Sequence, residues 1–102
     1  MKIKDVVALK EVANDLIAGK AFYEKIEAGA GDYFGDSIVA DIESLIIYAG
    51  IHNKRHGLYR MFAKRFPYAI YYEIDDRIAY VVAVLPMRRD PAWIEKVLKG
   101  RN

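Results

Sequence analysis

Five positive side chains in the second half of the chain fall into short clusters that could handle a phosphate: Arg60, Lys64-Arg65 and Arg88-Arg89. Guanidinium groups offer paired N–H donors that fit phosphate oxygens and the extra charge of a phosphorane-like transition state. The blander use of the same residues is structural, with Arg88 and Arg89 bonding a turn and pairing with Asp90 while Lys64 is solvated. A second basic group, Lys54-Arg55, is flanked by His52 and His56. The His-x3-His spacing could ligate zinc on a helix, but no helix is predicted there and no third ligand is evident, so no metal is expected. A basic loop over residues 53–56, touching nucleic acid, protein or water, is the simpler expectation.

Aromatic residues raise a second kind of chemistry. Tyr59, Tyr71 and Tyr80 could stack on bases. Packing is the stronger expectation, because Tyr68, Tyr72 and Tyr80 sit at strand positions where aromatics fill a sheet core. Trp93 is expected to anchor the last helix and to border any target surface with Arg89. The sequence contains no glycine-rich phosphate loop and no nucleophile elbow, and no cofactor is expected.

Periodicity supplies the elements that must position these groups. Ile3, Val6 and Val7 read as a short opening strand over residues 1–7. From Leu9 the spacing changes to threes and fours through Val12, Ala13, Leu16, Tyr23 and Ile26, one face of an amphipathic helix. Gly19 lies in that stripe at a cost of about 1 kcal/mol relative to alanine, which implies a close neighbour. Gly29-Ala30-Gly31 breaks the helix, Asp32 is the expected N-cap of the next, and Gly50 is its expected stop.

Residues 58–66, 68–74 and 78–86 are rich in aromatic and β-branched side chains and are separated by breaks short enough for hairpin turns. They predict an antiparallel meander, which brings the ends of its first and third strands to one rim. Lys64 and Arg65 are therefore expected near Arg88 and Arg89, with Arg60 sharing a strand face with Phe62 and Lys64. Asp90-Pro91 is an N-cap followed by proline at the first helical position. The fold class is α+β: an antiparallel sheet with a helical hairpin on one face, in the order β-α-α-β-β-β plus a short C-terminal helix.

Composition narrows the partners. With 102 residues, one domain over 1–102 is expected, and a 54% hydrophobic content excludes a disordered chain. Cysteine is absent, so neither disulfides nor thiolate metal sites can form. No apolar run approaches the ~20 residues of a membrane helix and no secretory leader is evident, so a cytoplasmic protein without membrane contact is expected. Residues 1–50 hold five lysines against nine acids, whereas residues 51–102 hold eleven bases against five acids. That asymmetry suits a polyanion or an acidic partner for the second half.

The combination of Arg60, the run from Lys64 through Tyr72, Val82-Ala83-Val84-Leu85, Arg88-Arg89-Asp90-Pro91 and Trp93 resembles the RelE/ParE superfamily of toxins. It is most similar to the ParE-like, plasmid-stabilisation branch, and residues 21–24, Gly31 and Phe34 match the helical half. The resemblance implies the toxin of a type II toxin–antitoxin system, held inactive by a cognate antitoxin. Relatives either poison DNA gyrase or cut mRNA on the ribosome. Ribonuclease activity would fall to Arg60, Lys64, Arg65 and Arg88, with Lys54, Arg55, Arg89 and Trp93 touching nucleic acid or target. Several ribonuclease relatives carry a histidine before the Arg-Arg-Asp-Pro run, where this chain has Pro86-Met87, and no tyrosine or histidine follows Trp93. Arginine exchanges protons poorly near neutral pH, so the resemblance favours gyrase inhibition over cleavage, with an inactive antitoxin-binding relative as a third reading. A homodimer is compatible with all three.

Overall fold

The computed structural model describes residues 2–101. The chain runs β1 (Asp5–Ala8), α1 (Lys10–Ile26), α2 (Ala30–Glu43), α3 (Leu45–Tyr48), β2 (Lys54–Arg55), β3 (Leu58–Phe62), β4 (Tyr68–Asp75), β5 (Ile78–Pro86) and α4 (Pro91–Gly100). One five-stranded sheet has the order β1-β5-β4-β3-β2. The expected meander β3-β4-β5 is antiparallel throughout, and β1 adds to it in parallel beside β5. The α+β class stands, with a mixed sheet.

Side-chain alternation builds two cores. Met61, Tyr68, Ile70 and Tyr72 face the helical hairpin and bury Val12, Phe34, Ile38 and Leu45. Leu58, Ala69, Tyr71 and Leu85 face the other way and bury Ile94 and Leu98 of α4. Removing each large apolar side chain from water contributes about 1.5–3 kcal/mol. A bulge opposite Tyr71 and Tyr72 leaves Val82 without a partner, so Val82 and Ala83 both turn toward α4.

The helices of the hairpin meet at glycines. A Cβ on Gly19 would lie 2.4 Å from the Phe34 ring, and one on Gly31 would lie 2.7 Å from the Lys20 carbonyl oxygen. Gly19 thus admits Phe34, the close neighbour that its position implied.

Several boundaries differ from the sequence reading. Asp32 is not the N-cap of α2: Gly29 takes that position with φ of +89°, and Asp32 lies in the first turn. Glu24 of α1 supplies the missing acceptor, its carboxylate receiving the N–H groups of Gly29 (3.0 Å) and Gly31 (3.0 Å). Those bonds, Gly29 first and Gly31 second, hold its carboxyl below the usual value. The predicted second helix breaks at Ser44, whose hydroxyl donates to the Asp41 carbonyl at 2.6 Å. The opening strand begins at Asp5 rather than near residue 1, and Met1 lies outside the described residues. The first meander strand stops at Phe62. The basic stretch expected as a loop contains β2, paired with β3 across a turn in which His56 and Gly57 have positive φ.

Candidate functional site: an apolar cleft with an arginine rim

A cleft of about 590 Å³ opens between α1, the sheet end and the C-terminal segment. Its floor comes from Gly19, Phe22, Tyr23, Tyr68, Val84 and Pro86, and its rim carries Arg88, Arg89 and Trp93. The sequence puts these groups together by simple means. The turn at Pro67 starts β4 and Pro86 finishes β5 at the same sheet end, where the Met87 N–H donates to the Pro67 carbonyl at 2.9 Å. Asp90 then caps α4 through the Ala92 N–H at 3.1 Å, with Pro91 at its start, as the sequence predicted. Trp93 consequently stands on the rim in the first turn of α4, and the Arg89 guanidinium lies 3.8 Å from the centre of its ring.

Beyond the cleft the apolar surface continues along α1. Phe22 is 48% exposed and Ile26 67%; Ile26 prolongs the stripe that buries Val12 and Gly19, and Phe22 borders it. The apolar stripe of α1 is therefore covered as far as Gly19 and open at the end of the helix.

The Tyr68 hydroxyl is pushed above its ordinary value, first by burial and then by the nearby Tyr23, against a lowering pull from Arg88. Deeper in the cleft, Asp15 and Arg101 form a two-point ion pair whose second contact measures 2.7 Å. Neither residue stood out in the sequence. Acid and base lie at opposite ends of the chain, and only the fold makes them neighbours.

The sequence-predicted site residues do not all converge on this cleft. Arg88, Arg89 and Trp93 line it, whereas Lys64 and Arg65 sit on the β3–β4 turn outside its lining. That turn is held from the other side, since the Lys64 N–H donates to buried Asp41 of α2 at 3.1 Å. Arg60 is half-buried on β3 opposite Tyr71, its guanidinium 4.8 Å from the centre of the Phe62 ring. Lys54 and Arg55 form β2 at the far sheet edge, where the Lys54 ammonium lies 4.9 Å from the Tyr59 ring centre. No ion pair joins Arg88 or Arg89 to Asp90 among the described residues.

The two histidines serve different elements. His52 Nδ1 meets the Tyr72 hydroxyl at 2.5 Å, and the Gly50 N–H donates to that same oxygen at 2.9 Å. His56 lies 3.8 Å from Glu95 of α4. Of the tyrosines weighed for stacking on bases, Tyr71 is buried under α4, while Tyr59 lies face to face with buried Tyr72 at 5.1 Å.

A second depression of about 510 Å³ lies beside the Asp76-Arg77 turn. Its lining mixes Glu73, Asp75 and Asp76 with Lys54 and Arg77, so it lacks the single-sign rim of the first.

Comparison with known proteins adds an independent line. A family model described as the ParE toxin of the type II toxin–antitoxin system parDE matches residues 6–91. No curated protein sequence matches the chain. Among solved structures, a chain from the "Chromosomal ParDE TA system from P. aeruginosa" superposes with a TM-score of 0.77 at 14% identity, covering 86% of this chain and all of that one. That likeness carries the fold.

Proposed function

Because the chain belongs to the ParE family of toxins of type II toxin–antitoxin systems, we propose that it acts by binding and inhibiting DNA gyrase and that its antitoxin silences it by filling the arginine-rimmed cleft. Membership makes it the toxin of a pair and gives it a cognate antitoxin as partner. The target and the antitoxin's seat are inferences from the surface.

One observation carries the reading: the apolar cleft runs out through exposed Phe22 toward Ile26 at the end of α1, and its rim holds two arginines that no acid neutralises among the described residues. A flexible partner with an amphipathic, acidic segment could bury Phe22 and Ile26 and pair with Arg88 and Arg89 as it folds. Inhibition by protein binding is also supported by how the candidate ribonuclease cations are spread. Arg88 faces the cleft, Lys64 and Arg65 occupy a separate turn, and Arg60 packs over Phe62. Tyr68 is the hydroxyl beside Arg88, and burial makes it a poorer acid. No helix is long and apolar enough to cross a membrane among the described residues. A gyrase target would put the protein in the cytoplasm.

The test pairs two assays on purified protein. Supercoiling by gyrase should fall as the chain is added, and return when the product of a small neighbouring reading frame is added in turn. Translation-dependent mRNA cleavage that disappears on Lys64→Ala or Arg88→Ala, with supercoiling untouched, would replace this reading with the ribonuclease one.

A further inference from the structure

The C-terminal wall of the cleft is attached in an unusual way. Helix α1 lies on one face of the sheet and α4 on the other. Strand β1 ends at Ala8 opposite Val81, so the following residues of β5 have no strand beside them on that edge. Side chains close it instead. The Val84 N–H donates to Asp15 Oδ2 at 2.9 Å, and Arg101 Nη1 donates to the Val82 carbonyl at 3.2 Å. The two side chains then bond each other, Arg101 Nη2 to Asp15 Oδ1 at 2.7 Å. One ion pair therefore seals a strand edge and ties the end of α4 around that edge to α1.

We propose that Asp15 and Arg101 form a clasp that positions α4, and with it the Arg89–Trp93 wall of the cleft, as a unit able to open while the rest of the sheet stays closed. Besides this clasp, helix α4 is held by buried Ile94 and Leu98, by half-covered Trp93 and Val97, and by the His56–Glu95 contact at 3.8 Å. Its cap on Asp90 is local and fixes no distance to the body. The clasp is largely shielded from water, with side-chain exposures of 15% for Arg101 and 9% for Asp15. Solvent therefore cannot readily substitute for either partner, and removing one leaves the other's charge and the edge groups of β5 unanswered. Asp15 and Arg101 are positioning residues, acting through Trp93 and Arg89. Their bearing on antitoxin binding rests on the reading of the cleft given above; the clasp itself does not.

The experiment uses the full chain without partner and follows amide hydrogen exchange together with acrylamide quenching of Trp93, the one tryptophan present. Two variants probe the clasp: Arg101→Met, and the double change Asp15→Asn with Arg101→Met, which removes both charges while keeping an acceptor for Val84. In each, the amides of Ile94 and Leu98 should exchange faster by about tenfold more than those of Ile70 and Tyr72, and quenching of Trp93 should rise. Lys99→Gln, which removes the exposed Glu95–Lys99 pair of the same helix and leaves Glu95 beside His56, should change neither reading. If Arg101→Met does not fold, the double variant carries the measurement alone. Exchange in α4 that stays at the wild-type rate, or that rises only in step with Ile70 and Tyr72, overturns the proposal. Whether an antitoxin perturbs Trp93 emission is a separate question, so the cleft assignment and the clasp can fail independently.

Discussion

The carboxylate of Asp41, buried on α2, accepts the backbone N–H of Lys64 at 3.1 Å, so the helical hairpin holds the turn that carries Lys64 and Arg65. Replacing Asp41 by alanine leaves that N–H without its acceptor, at a cost of about 1–3 kcal/mol. Asparagine keeps an acceptor and should lose less. Urea denaturation of both variants tests the order, and an Asp41→Ala midpoint equal to wild type would show that the bond contributes nothing.

Gly19 and Gly100 should respond in opposite ways to alanine. At Gly19 the new methyl meets the Phe34 ring at 2.4 Å and must displace it, which overpacks the interface between α1 and α2 by about 1–3 kcal/mol. At Gly100 nothing lies within 4 Å. Alanine there favours the last turn of α4 and should be neutral or stabilising. Thermal melts of the two variants decide it.

Acid should weaken the chain through His52. The Tyr72 oxygen accepts from Gly50, and its own proton can go to His52 Nδ1 when that nitrogen is the bare one of a neutral ring. Burial lowers the His52 pKa below 6.5. The unfolded chain thus takes up this proton more readily than the folded one. The contribution is complete above pH 6.5 and declines as pH falls through that value toward the folded one. His52→Gln should flatten stability against pH in this window; an unchanged slope would remove His52 as its source.

Phe22 should matter to binding and little to folding. It is half-exposed, lines the cleft and edges Tyr23 at 5.1 Å. Under the proposed seat for the antitoxin, Phe22→Ala should weaken the complex about tenfold or more, as buried aromatic anchors do. The melting temperature of the free chain should move little. Titration calorimetry would separate the two effects.

Much of this architecture was legible in the sequence because its signals are local. Alternating aromatics marked β4 and β5, threes and fours marked α1, and Asp90-Pro91 marked the start of α4. Gly19 in the apolar stripe signals the close approach that Phe34 makes. Other features lay beyond that kind of reading. Glu24 caps a helix other than its own, the parallel seat of β1 depends on a strand far along the chain, and Asp15 and Arg101, 86 residues apart in sequence, meet around a sheet edge. The rim suffered in the same way. Topology put Lys64 and Arg88 at one end of the sheet, but lining the same cleft also depends on side-chain direction, which Asp41 and the β3–β4 turn decide.

The pairing of Asp5 with Ile78 has a temporal meaning as well as a spatial one. Translation delivers β1 early and its only strand neighbour late, so the sheet stays incomplete until most of the polypeptide has been made. Such long-range closure slows folding and leaves half-made chains without a finished structure. A chain cut short before residue 78 lacks β5 and cannot close the sheet, so the folded toxin exists only once synthesis is nearly finished.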